Sequence, residues 1–154
     1  MNEKLTPEEI KKVKTYIKNG LDISELIKNK DIRNLDLSYA KIKDFNRVND
    51  DISGVNLSYA VIGEENKITN LSGTIMRNCN FRGAKFLGKV FMRKVDARNS
   101  CFREAYMPYV EYQFGDFRNC DFCGVIICIH GRNGLKAKFD KKLWDELTRA
   151  WIFE

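Results

Sequence analysis

Cys120 and Cys123 are separated by two residues in CDFC, the spacing at which a short turn offers two thiolates to a metal ion. His130 follows in CIHGRNG and is the one histidine of the chain. Neither motif is completed. A zinc site needs further ligands at matching spacing, and a nucleophilic centre needs a base and a group that orients it. No phosphate-cradling loop and no dinucleotide fingerprint accompanies them. A protein without catalytic, cofactor-binding or metal-ligating residues is therefore the expectation, with His130 as an ordinary loop residue.

Arginine carries a stronger signal. Residues 66–103 hold nine basic side chains and one acidic one, Asp96, while 31–65 and 104–129 are each net negative by three. The chain as a whole is +6, from 27 basic and 21 acidic residues. A cationic belt between acidic ends is a surface for phosphate backbone or for an acidic protein. Its candidate contacts are Arg77, Arg82, Arg93, Arg98 and Arg103, with Arg118 beyond the belt. The plainer reading is a solvated ladder that Asp96 and Asp116 partly neutralise. No aromatic ladder clearly interleaves with the belt, although Phe91, Tyr106 and Tyr109 should point outward, so base-specific reading has no support.

Such side chains need a frame, and the frame repeats. LSYA occurs at Leu37–Ala40 and again at Leu57–Ala60, twenty residues on. Apolar residues downstream recur every five positions, a period that belongs to neither a helix nor a strand. A turn recurring every five residues explains it. Stacking the repeats four to a coil gives apolar columns. The first side reads Leu37, Leu57, Phe81, Phe102, Phe122, and the second Ile42, Ile62, Phe86, Met107, Ile127. The third reads Leu71, Met92, Tyr112, with no clean partner before Leu71. The fourth reads Ile32, Ile52, Met76, Ala97, Phe117. About four extra residues fall within Gly63–Thr69, one falls near Gly88–Lys89, and FNRVND at Phe45–Asp50 is irregular. In this register Cys120 faces inward and Cys123 outward, which separates the two thiols of CDFC. Cys79 and Cys120 lie two coils apart, about 9.6 Å, too far for a disulfide. Cys101, Cys123 and Cys128 face outward.

The repeats VNLSY, TNLSG, CNFRG, AKFLG, GDFRN and CDFCG resemble those of the pentapeptide-repeat proteins, over roughly Asp31 to Ile129. The resemblance implies an all-β solenoid, a right-handed four-sided pentapeptide-repeat β-helix. Here it would run to about five coils, a rod about 24 Å long, with short α-helices capping both ends. Three segments are expected: an N-terminal helical cap at 1–30, the β-helix at 31–129, and a loop with a C-terminal helix at 130–154. Thr6-Pro7-Glu8-Glu9 reads as an N-cap with a capping box, Ile10, Val13 and Ile17 share a face, and a second helix is expected from Ser24 to Asn29. Asp140 suits an N-cap, with Phe139 and Trp144 as its hydrophobic staple. Leu143, Trp144, Leu147, Ala150 and Trp151 share one apolar face, which serves as a cap or as a contact with a second copy. Some family members dimerise end to end this way.

The family's best-known activity is imitation of duplex DNA to bind gyrase or topoisomerase. That needs an acidic surface, and the belt departs from it, so this reading ranks low. Glu64, Glu65, Asn66 and Lys67 form a loop of the kind that decorates some of those proteins. The leading expectation is a non-catalytic scaffold for a macromolecular partner, a protein before any other class. An electrostatic nucleic-acid or anionic-surface binder is the alternative. The opening segment has no apolar run of a signal peptide and no stretch spans a bilayer, so the expected location is the cytoplasm. The thiols are expected to be reduced there.

Overall fold

The computed structural model describes residues 2–127 and 137–141. Within them the chain winds as a parallel β-solenoid whose strands are two or three residues long. The second side is a five-stranded parallel sheet of β3 (Lys41–Ile42), β4 (Val61–Ile62), β6 (Lys85–Phe86), β8 (Tyr106–Met107) and β10 (Ile126–Ile127). Ile42 pairs with Ile62, Ile62 with Phe86 and Met107 with Ile127, which is the column read from the sequence. The third side is a three-stranded sheet of β5 (Ile68–Asn70), β7 (Lys89–Phe91) and β9 (Val110–Glu111). The first and fourth sides are held by single bridges, such as Asn56 with Asn80 and Asp96 with Asp116. Among the described residues four coils are complete, and three sides of a further one follow at Phe117, Phe122 and Ile127.

Apolar residues at the centre of each side cannot reach water, because neighbouring coils cover them above and below. Leu57, Phe81 and Phe102 are fully buried, and the rings of Phe81, Phe102 and Phe122 stack at 5.1 and 5.0 Å. The corners follow from backbone sterics. On three of the four sides, the residue two positions after the central one has a positive φ. Asn and Gly tolerate that conformation, and the fourth side uses them at Asn34, Gly54, Asn78, Asn99 and Asn119. Tyr39 and Tyr59 take it on the first side at φ 61° and 59°, which for a bulky residue costs about 1–2 kcal/mol.

The gap at the head of the third column is filled by Arg47, which stands five residues after Ile42. Its N–H donates to Asn70 O just as that of Leu71 donates to Phe91 O. The side chain is 5% exposed. Its guanidinium donates to Ile27 O at 2.6 Å, Lys30 O at 2.9 Å and Asp50 at 3.0 Å. FNRVND is thus a regular repeat whose central residue is charged and turned towards the N-terminal segment.

That segment forms the upper cover. Helix α1 (Pro7–Lys18) carries the expected capping box: Glu9 N–H donates to the Thr6 hydroxyl, and the Glu9 carboxylate accepts from Thr6 N–H. Val13 is its buried residue, with Tyr16 and Ile17 packed beside it. Helix α2 (Ser24–Ile27) is shorter than the expected Ser24–Asn29, because Lys28 turns extended and Asn29 takes φ 56°. The cover is also woven into the solenoid. Strand β1 (Glu3–Lys4) pairs with β2 (Lys30–Asp31), and Ile23 N–H donates to Lys41 O.

Candidate functional site

Coil stacking places each residue beside another about twenty positions away, and this rearranges the charges. On the fourth side, Arg77 and Arg98 both hold Asp96, Arg98 also reaches Asp116 at 3.8 Å, and Arg118 closes on Asp116 at 2.6 Å. On the first side, Arg82 meets Glu104 at 3.5 Å and Arg103 meets Asp121 at 3.0 Å. On the third, Lys89 and Arg93 share Glu111 and flank the Phe91 ring. The acids of 104–121 therefore sit against the cations of 82–103. The Arg98 guanidinium beside Asp96 holds that carboxyl well below its ordinary range, and Arg118 lowers Asp116. Near the N-terminal end the Arg33 guanidinium lowers Asp31 to about 2. All six candidate arginines lie in ion pairs; Lys85 and Lys94 have no acidic partner among the described residues.

The two insertions of the sequence pattern are one feature in space. The loop Glu64–Lys67 closes through Lys67 N–H to Glu64 O and through the Lys67–Glu64 ion pair at 2.6 Å. It lies over Gly88, the extra residue of the next coil, and Lys89 N–H donates to Lys67 O. A Cβ at Gly88 would collide with the carbonyl oxygens of Glu64, Glu65 and Lys67. The loop is therefore seated on the wall by backbone contacts, leaving the Glu64, Glu65 and Lys67 side chains to line the corner between the second and third sides.

The thiols divide as the register requires. Cys120 Sγ donates inward to Ala97 O at 3.0 Å and Cys79 Sγ to Ile52 O at 3.2 Å, whereas Cys123 is exposed. Burial pushes both inward thiols up to about 12. The thiolate is the reactive form. At pH 8, iodoacetamide should therefore modify Cys123 while Cys79 and Cys120 stay unmodified until the chain is unfolded, as peptide mass spectrometry would read directly. Among the described residues no three His, Cys, Asp or Glu side chains gather as metal ligands would. Nor is any helix among them long and apolar enough to cross a membrane.

His130, Cys128, Leu143, Trp144, Leu147, Ala150 and Trp151 lie outside the described residues. Phe139, the expected staple residue whose partner Trp144 lies outside the described residues, extends the fourth column: it stacks on Phe117 at 5.3 Å, and Phe117 N–H donates to Lys138 O. Asp140 accepts from Asn119 N–H at 2.6 Å, which ties residues 137–141 to the corner at Asn119.

One surface feature lies outside the belt. Tyr39 and Tyr59 stack at 5.2 Å with an interplanar angle of 15°, and are 67% and 42% exposed. Gly83 continues their corner one coil on, and a Cβ there would stand 2.6 Å from the Tyr59 ring. The repeated LSYA is the sequence signal for this pair.

A family model described as pentapeptide repeats matches residues 69–107 in eight copies. No curated protein matches the chain. Similar solved structures include two trypsin-treated variants and the full-length form of QnrB1, described as a plasmid-mediated fluoroquinolone resistance protein. The first is 15% identical with a TM-score of 0.35, over 75% of this chain and 62% of that one. The second is 12% identical with a TM-score of 0.26, over 77% and 90%. The full-length form is 14% identical with a TM-score of 0.17, over 79% and 92%. The chain thus spans 62% of the first of these chains.

Proposed function

The chain belongs to the pentapeptide-repeat proteins, and from that premise we propose that it is a non-catalytic scaffold that binds a macromolecular partner, a protein, on its outer walls. The observation that carries this reading is the filled interior. The columns close on one another, and the gap between Met92, Tyr112, Phe117 and Phe139 measures about 10 Å³, the room of one water at most. Recognition then falls to the outward side chains, which neighbouring coils hold in line one strand spacing apart.

Nucleic-acid binding through residues 66–103 has weaker support. Its arginines are already committed to carboxylates, so a phosphate would have to displace those partners. Duplex mimicry has weaker support still, because the same stretch is +8 by sequence. The proposal assigns the protein to the cytoplasm, where Cys79 and Cys120 keep the protons they donate.

A photo-crosslinking residue at Lys85 or at Arg98, on different walls, tests the proposal. The expected product is one discrete protein adduct that unlabelled chain competes away; chain-to-chain products would identify a second copy as the partner. In parallel, labelled single-stranded and duplex DNA is titrated at about 50 and 200 mM salt. Binding that fades with salt and vanishes in Arg77→Glu/Arg98→Glu, with no protein adduct, would overturn the scaffold in favour of the belt.

A further inference from the structure

We propose that the Tyr39–Tyr59 corner is where that partner docks, and that the partner presents an acidic, ring-bearing polypeptide segment. This rests on the scaffold reading and adds the surface and the chemistry.

The corner is built against the preference of the backbone. Every corner of the fourth side uses Asn or Gly for its left-handed residue; Lys94, Glu104 and Phe114 take it singly elsewhere, but only the first side puts the same aromatic residue there in two consecutive coils, at Tyr39 and Tyr59. The core gains nothing from them, since both rings lie on the outer wall, Tyr39 67% and Tyr59 42% exposed. What the arrangement secures is a rigid platform. The rings lie nearly parallel at 5.2 Å, and the absent side chain of Gly83 makes room for the lower one. Backbone strain kept at an exposed aromatic pair points to recognition rather than packing. Tyrosine also supplies a large contact area for little lost freedom.

The charge beside the platform sets the sign of the partner. Around the corner, on the second side, Lys41 and Lys85 flank Val61 in register. Neither lysine has an acidic partner among the described residues, in contrast to the arginines of the other walls. On the first side, Arg82 meets only the half-exposed Glu104, at 3.5 Å. Lys14 of α1 acts on Asp36, whose carboxylate is already engaged by Ser38 N–H and by Asn56 Nδ2. Uncommitted lysines beside stacked rings suit carboxylates on either side of a proline or aromatic ring.

The probe is a labelled glutamate–tyrosine copolymer, with polyglutamate and oligo(dT) as comparators, followed by anisotropy at about 50 mM salt. Tyr39→Asn/Tyr59→Asn is the test variant, because Asn accepts the left-handed backbone and the fold is retained. The copolymer should bind, and the variant should weaken it at least about tenfold while melting no lower than the parent. Lys41→Glu/Lys85→Glu should weaken it comparably. Equal binding of polyglutamate and copolymer, or an unchanged affinity in the tyrosine variant, overturns the platform. Oligo(dT) binding lost in the tyrosine variant, with no copolymer binding, overturns the polypeptide assignment in favour of nucleic acid. A crosslinked protein adduct that survives Tyr39→Asn/Tyr59→Asn overturns the corner alone and leaves the scaffold standing.

Discussion

Arg47→Ala should destabilise the protein by about 3–5 kcal/mol, the range found when one partner of a buried charged network is removed. The guanidinium is the sole side chain donating to both Ile27 O and Lys30 O among the hydrogen bonds of the described residues, and it also pairs with Asp50. Truncation leaves two carbonyls without that donor and a carboxylate without its cation. It also opens the head of the third column, where the Phe45 ring lies 5.6 Å from the guanidinium. For a chain of this size the midpoint should fall by about 10 °C in a thermal melt followed by circular dichroism. Arg47→Leu separates the two contributions. Leucine refills the column but donates nothing to the carbonyls, so it should fall between wild type and Arg47→Ala. Equal melting of all three proteins would mean that α2 and β2 hold to the first coil without the guanidinium.

Arg47 also shows where the sequence was legible and where it was not. Five residues on from Ile42 is residue 47, but a charged residue at an inward position reads as a break in the pattern, and FNRVND read as irregular. Only contact with Ile27 O and Lys30 O makes an arginine acceptable there, and those contacts lie 20 and 17 residues away. The columns themselves were readable because an inward position one coil deep has no choice but to be apolar. Charge was misleading for the converse reason. Windows along the chain separated Arg82 from Glu104 and Arg103 from Asp121, pairs that adjacent coils bring together. The loop at Glu64 and the extra Gly88 looked like two irregularities, because their stacking is a property of the register and not of either segment. Tyr39 and Tyr59 were visible as a repeat, yet their outward stack depends on a left-handed corner that residue type argues against.

Phe102→Ala should cost about 3–5 kcal/mol, as large-to-small changes at fully buried aromatic sites do. The ring sits between Phe81 at 5.1 Å and Phe122 at 5.0 Å, both nearly parallel to it, with the edge of Phe117 at 6.2 Å. None of these neighbours can close the space, because Phe81 is fixed in a coil bonded on both sides and Phe117 and Phe122 in a coil bonded to the one before it. The distribution of the loss is more telling than its size. A solenoid is held by contacts between adjacent coils, so a cavity in the fourth coil uncouples the last coil from the first three. Amide hydrogen exchange should therefore accelerate most from Glu104 to Ile127 and least from Ile32 to Met76. Phe122→Ala, one coil nearer the end of the column, should cost less and leave the first three coils protected. Uniform loss of protection along the chain in Phe102→Ala would show instead that the coils unfold as one cooperative unit, in which case the cap anchored by Arg47 and the Asn119 corner tied to Asp140 would stabilise every coil between them rather than only their neighbours.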